Sequence, residues 1–251
     1  MKEISMTNAR KPLSWLALSG LILGLAAIAA MVASGIGYRQ GWWSVVEGLK
    51  YSEWTAYGAV LALALSAAGL IQARPGAGRR GFIPAILGVA VALPLVAMAI
   101  HWEYAARTYP PINDISTDTE DPPEFWDMPN PMSYPGAETA AQQHAGYPDL
   151  APVELAIPPE KAFALALALA ERKGWEIIAK VPEEGRIEAT VSSRLYGFKD
   201  EFAVRVAPSD GGAKVDVRSR SRLGLIDRGV NAKRIRAYLA ALKASAEETS
   251  R

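Results

Sequence analysis

Hydrophobic residues fill three runs near the start of the chain, 13–36, 54–73 and 82–100, and none of the three contains Asp, Glu, Lys or Arg. Each approaches or exceeds the roughly 20 residues that a helix rising ~1.5 Å per residue needs to cross ~30 Å of hydrocarbon. The pattern predicts three transmembrane helices. Pro84 and Pro94 fall in the third run; a membrane helix tolerates them because neighbouring helices and side chains satisfy the freed backbone groups. A cleaved signal peptide is the alternative for the first run, since it closes on the small residues Ala33-Ser34-Gly35. Its length exceeds the about 7–15 residues of a signal h-region, and a retained helix is expected.

After residue 152 the pattern switches to short alternating stretches. Strands are expected at 153–157, 175–181, 186–193, 200–207 and 213–222, with hairpin turns at Pro182-Glu-Glu-Gly185 and Pro208-Ser-Asp-Gly-Gly212. Pro158-Pro159-Glu160 opens a helix that Glu171-Arg-Lys-Gly174 closes. A last helix spans about 231–247, with Ile235, Tyr238, Leu239 and Leu242 on one stripe. The order β-α-β-β-β-β-α predicts an α+β fold, an antiparallel sheet with two helices on one face. Residues 103–152 follow neither period. They hold nine Asp/Glu against one Arg, with nine prolines scattered among them. Extended and turn structure is expected there. A disordered acidic tether is the competing reading, but Ile112, Ile115, Phe125, Trp126 and Met128 favour an ordered wrap, with Ile112, Ile115 and Trp126 buried. The organisation expected is a membrane domain over 1–102, an acidic Pro-rich wrap or linker over 103–152, and an α+β domain over 153–251.

Charge sets the orientation. Lys2, Arg10 and Lys11 precede the first run, and Arg74, Arg79 and Arg80 lie between the second and third. The first loop has Arg39 and Lys50 offset by Glu47 and Glu53. The positive-inside rule places the N terminus and the Arg79 loop in the cytoplasm, so everything after residue 101 lies outside, in the periplasm, with the chain in the inner (plasma) membrane. Trp42, Trp43, Trp54 and Trp102 at the outer ends fit an interfacial belt. Gly76-Ala-Gly78-Arg-Arg-Gly81 formally matches a dinucleotide fingerprint, but no strand precedes it, and it reads as a basic turn. Gly20 and Gly24 match the small-residue helix-packing pattern, favoured for contact between the chain's own helices over dimerisation.

Inventory narrows the chemistry. The chain has no cysteine and two histidines, His101 and His144. That removes disulfides and thiolate chemistry, and it leaves no basis for a multi-histidine metal site. No cofactor and no metal are expected. The Asp114–Asp121 stretch lacks the glycine and glutamate of an EF-hand loop, and its acids read as Asx turns and caps.

Positive charge concentrates late: Lys214 to Arg236 holds eight Lys/Arg and two Asp. Alternation sends Val215 and Val217 to one face of the last strand, and Asp216, Arg218, Arg220 and Arg222 to the other. Glu188, Thr190, Ser192, Arg194 and Arg205 are expected on that same outer face. Three readings compete: a solvated face with cross-strand pairs, a polar site for an anionic group, since guanidinium forks suit carboxylate or phosphate, and a face covered by the acidic wrap.

The third reading gains from a resemblance. Tyr109-Pro-Pro-Ile-Asn-Asp114-Ile-Ser-Thr-Asp118, Asp121-Pro-Pro123 and Arg218-Ser-Arg-Ser-Arg222-x-Gly-x-x-Asp227-x-Gly-x-Asn231-x-x-Arg234-Ile resemble the entry and closing motifs of the family catalogued as domain of unknown function 1499. The resemblance covers about 109–242 and implies a domain without an assigned activity. The candidate ligand-binding set is Asp114, Asp118, Asp216, Arg218, Arg220, Arg222, Asp227, Asn231 and Arg234. The expected function is a membrane-anchored envelope module that binds an anionic envelope component or another membrane protein. The lipid bilayer is its other partner, and nucleic acid is not one. An envelope hydrolase using Asp114, Asp118, Asp216 or Asp227 is the alternative.

Overall fold

A computed structural model describes residues 11–129 and 133–249. It divides into two compact units after Glu103. The first holds α1 (Trp15–Arg39), α2 (Val45–Ala73) and most of α3 (Phe82–Thr108), whose last residues count with the second; all three helices are long and apolar enough to cross a membrane. Ser14 caps α1 by accepting from the Ala17 N–H, and Ser44 and Glu47 form a reciprocal capping box on α2. Small residues let these helices approach. A Cβ on Gly20 would meet Ser66 Oγ at 2.3 Å, one on Gly88 the same atom at 2.2 Å, and one on Gly69 the backbone of Ala17 at 2.6 Å. Gly20 and Gly24 therefore pack this chain's own helices. The turn before α3 is tied to the start of α1: Ser14 N–H donates to Arg80 O (2.8 Å), Arg80 N–H to Pro12 O (3.0 Å) and Lys11 Nζ to Ala77 O (2.8 Å). Lys11, Arg74, Arg79 and Arg80 are thus gathered at one end of the bundle. Lys2 and Arg10 lie outside the described residues.

The second unit is α+β. Its elements are β1 (Asp114–Ser116), α4 (Ala137–Gly146), β2 (Val153–Leu155), α5 (Pro159–Arg172), β3 (Glu176–Val181), β4 (Arg186–Ser192), β5 (Lys199–Ser209), β6 (Gly212–Ser221) and α6 (Val230–Thr249). The sheet is antiparallel in the order β1-β6-β5-β4-β3, and β2 pairs with the same strand as β1, farther along β6. The expected order of five strands and two helices is present, with β1 and α4 added from the Pro-rich segment. Helix α4 corrects the expectation of extended and turn structure throughout 103–152. The helix Ala137–Gly146 contains no proline, so the composition of the wider segment did not apply to it.

Helices α5 and α6 cover one face. Phe163, Leu169, Ile235, Tyr238 and Leu242 bury against Phe202, Val204, Val215 and Val217 of the sheet. Trp175 stacks on Tyr238 (5.5 Å between centroids) and tilts onto Phe202 (4.6 Å), while Tyr238 OH donates to Ala166 O (2.7 Å). Such a cluster removes several hundred Å² of aromatic surface from water, at roughly 25 cal/mol per Å². Helix α5 ends in a Schellman motif: Trp175 N–H donates to Ala170 O, Gly174 N–H to Glu171 O, and Gly174 adopts φ 71°.

The opposite face is also buried. Residues 109–129 run back across the sheet as a strap; Ile112 and Ile115 join the main core, and Phe125 and Met128 form a second small cluster with Ala203. Trp126 departs from expectation. It is 66% exposed while its neighbour Phe125 is 4% exposed, because the Trp126 N–H is turned in to bond Glu188 (2.8 Å) and its ring is left outside. The free edge of β1 is closed by a side chain in place of a strand. Buried Gln143 of α4 accepts from Ser116 N–H (2.9 Å) and donates to Ser116 O (2.6 Å), satisfying backbone groups that would otherwise be stranded.

Candidate functional site

The register of β4, β5 and β6 builds the outer face. Glu201 lies directly opposite Arg220, Arg205 opposite Asp216, and Ala203 opposite Arg218. Two of these pairs join opposite charges across strands, the arrangement that stabilises a sheet face. The strap supplies what the sheet lacks. Arg218, 0% exposed, donates from Nε and Nη2 to the two oxygens of Asp114 (2.9 and 2.7 Å) and from Nη1 to Pro123 O (3.2 Å). Its guanidinium lies over Phe125 at 4.9 Å and Tyr134 at 5.6 Å, and Arg220 lies over Phe125 at 4.3 Å. A desolvated cation gains most from an aromatic face, on the order of 2 kcal/mol. Burial pushes the Tyr134 hydroxyl up to about 12.

Glu201, 0% exposed, serves two cations: Oε2 accepts from Arg220 Nε (2.6 Å) and Oε1 from Arg222 Nε (3.0 Å). Arg205 reaches Asp121 of the strap (2.8 Å) and Asp216 of the sheet (3.2 Å). Arg186 bonds Asp127 (2.6 Å), Glu184 (2.9 Å) and buried Glu188 (2.6 Å). Glu188 in turn accepts the Trp126 and Asp127 N–H groups, locking the far end of the strap. Asp118 forms an Asx turn, accepting from Glu120 and Asp121 N–H, and faces Lys214 Nζ at 3.4 Å. Burial opposes its charge, but those two N–H groups and the ammonium hold its carboxyl below the usual range. Among the described residues no group of three metal-ligating side chains converges.

Asp216 is the weak point of this lattice. Its Oδ2 accepts from Arg205, whereas among the described residues Oδ1 has no hydrogen bond and meets Lys214 Nζ at 3.7 Å. Burial pushes its carboxyl up against the pull of Arg205 and Lys214. The folded value therefore lies above the unfolded one of about 3.9. Between the two the folded chain keeps a proton that the unfolded chain has lost. That contribution to stability is complete below the unfolded value and disappears as pH rises through the folded one. Asp216→Asn removes it. Urea unfolding should therefore show the variant improving relative to the parent as pH is raised from about 4 to 7; a pH-independent difference would contradict the assignment.

The nine candidate residues do not form one site. Asp114, Asp118, Asp216, Arg218, Arg220 and Arg222 share the strap-covered face. Asp227, Asn231 and Arg234 lie at the start of α6, beyond the other face of β6. Asp227 accepts the Gly229 and Asn231 N–H groups (2.8 and 2.7 Å), capping that helix, and burial raises its carboxyl in spite of them. Buried Asn231 accepts from Ser219 Oγ (2.8 Å) and donates to Asn113 O and Ser221 Oγ (3.0 Å each). Arg234 donates to Asn231 Oδ1, to Ser219 Oγ (2.8 Å) and to Asp200 (2.5 Å). These three residues hold helix to sheet. Arg194, expected on the outer face, falls in the turn after β4 instead. Glu201 and Arg186 were missed. Strand alternation puts Glu201 on the outer face with Arg205, but only the β5–β6 register sets it opposite Arg220.

The fold and this lattice define a chain with three membrane-length helices and an antiparallel α+β unit closed by its own strap. It belongs to the DUF1499 family, a protein of unknown function, whose model matches residues 114–242, just over half of the chain. The match begins at the strap carboxylate that grips Arg218 and ends at a core leucine of α6. No curated protein matches the chain.

Proposed function

We propose that this chain is an integral inner-membrane protein with a cytoplasmic N terminus, and that its α+β unit is an extracytoplasmic binding module for another envelope or membrane protein. The observation that carries binding over catalysis is the commitment of the four carboxylates singled out for hydrolysis. Asp114 is held by Arg218, Asp118 by two N–H groups, Asp216 by Arg205 and Asp227 by the start of α6. General acid–base work needs a carboxyl open to substrate. A protein partner is favoured over an anionic ligand for a parallel reason: the outer-face guanidiniums already meet carboxylates. The gathering of Lys11, Arg74, Arg79 and Arg80 at one end of the bundle supports the orientation, since cytoplasmic ends collect positive charge. A reporter that works only outside the cytoplasm, fused after Arg251, should be active; activity of a cytoplasm-only reporter there would overturn the orientation. Phosphate titrated into the purified chain should leave its melting temperature unchanged, whereas saturable stabilisation would restore the anionic-ligand reading.

A further inference from the structure

Arg186 of β4 and Arg205 of β5 stand directly opposite each other across the sheet. Two guanidiniums side by side draw carboxylates, and the outer face supplies more than they need. Asp118, Asp121, Asp127, Glu184, Glu188 and Asp216 all pair with Arg186, Arg205 or Lys214. Six carboxylates share three cations. The shortage reaches the interior, where among the described residues buried Asp216 Oδ1 has no hydrogen bond. It also reaches the surface. Glu124 of the strap is exposed and, among the described residues, has neither a hydrogen bond nor an ion pair.

This surplus of negative charge lies around a cavity. A cleft of about 270 Å³ is lined by exposed Asp121, Glu124 and Glu184, by half-buried Arg186 and Arg205, and by the exposed ring of Trp126. Sites for drug-sized molecules run to ~300–1,000 Å³, so this one suits a single side chain. Its walls are fixed in advance. Arg205 Nη2 donates to Asp121 O (2.7 Å), Arg218 Nη1 to Pro123 O (3.2 Å), and the Trp126 and Asp127 N–H groups bond Glu188. Binding therefore orders little, and less of the interaction energy is lost. An outward tryptophan on a fixed backbone is also the residue type on which binding energy concentrates at interfaces.

The chemistry of the walls selects the guest. Carboxylates beside an indole favour an organic cation, and a guanidinium fits both, since it is planar, stacks on an aromatic face and donates to a carboxylate at its edge. A metal ion would need converging ligands, and among the described residues no group of three converges.

We infer that this cleft receives an arginine side chain of a protein partner, with its guanidinium stacked on Trp126 and paired with Glu124. The inference rests on reading the α+β unit as a protein-binding module and gives that module its contact residue and charge.

Two measurements on the full chain separate the cleft from the partner. The first labels the seven tryptophans with fluorine and follows them by NMR in lipid nanodiscs, the Trp126 signal being the one that Trp126→Phe removes. Acetyl-Gly-Arg-Gly-amide should shift that signal saturably, and the uncharged citrulline peptide should not. Glu124→Gln should weaken the titration about fivefold, as loss of one exposed ion pair allows. No saturable shift, or an equal shift with citrulline, would overturn the inference. The second places a photoreactive amino acid at exposed Glu183, next to the cleft, in living cells. It should cross-link to a protein, and Trp126→Ala should abolish the cross-link. A cross-link that survives Trp126→Ala, with no arginine shift, would sink the cleft and leave the protein-binding reading standing. An arginine shift without any cross-linked protein would mean that the cleft takes a free cation such as a polyamine, and would overturn both.

Discussion

Replacing Arg218 by methionine should lower the unfolding free energy of residues 104–251 by about 3–5 kcal/mol, the usual cost of stranding one partner of a buried pair. For a unit of this size that is a fall of roughly 10 °C in Tm. The reason is local. Methionine keeps most of the aliphatic contact with Phe125 and Tyr134, but it leaves the buried Asp114 carboxylate without its cation and Pro123 O without a donor. Asp114→Asn in the same chain should recover part of the loss, since the stranded charge goes with it. The two single changes and the double should then be non-additive by about 1–3 kcal/mol. Exposed pairs rarely exceed about 1 kcal/mol. Two single effects below that, summing simply, would place Arg218 and Asp114 on solvated surface.

Glu201→Gln should cost about 3 kcal/mol by a different route. Glu201 is a single buried carboxylate between two guanidiniums, Arg220 and Arg222. Neutralising it leaves two like charges on the same face of β6, with Arg220 almost wholly out of water. The Arg222 side chain is 21% exposed, so a small anion has a way in. Sulfate should stabilise the variant more than the parent, by mass action on a positive charge that the parent neutralises with its own carboxylate. A variant as stable as the parent, or equal effects of sulfate on both, would contradict the assignment.

Much of this fold was legible in the sequence because burial imposes periods. The charge-free runs predicted three membrane-length helices, and alternation on β4, β5 and β6 predicted which residues face α5 and α6. Gly174 marked the end of α5, where a left-handed residue is required. The strap was legible only in part. Ile112 and Ile115 bury as their apolar character suggests, but Phe125 and Trp126 are neighbours with opposite fates, settled by where Glu188 accepts the backbone. No period predicts that. Helix α4 was hidden by the prolines around it, and so was Gln143, an amide that substitutes for a neighbouring strand. The closing motif misled in another way. Arg218, Arg220 and Arg222 share a face with each other but not with Asp227, Asn231 and Arg234, because β6 ends between the two groups and α6 packs on the other side. Closeness along the chain suggested one site where the fold builds two locks.

The strap is a structural part of the α+β unit and seals its arginine face. Native-state amide exchange on the full chain tests this most directly. Thr117 N–H bonds Val217 O, Ser116 N–H bonds Gln143, and Trp126 N–H bonds Glu188. These three amides should exchange only through opening of the whole unit, with protection matching the β5–β6 ladder. Exchange at the rate of an unstructured chain through 114–127, with the ladder still protected, would leave the strap a loose tether and the arginines open to solvent.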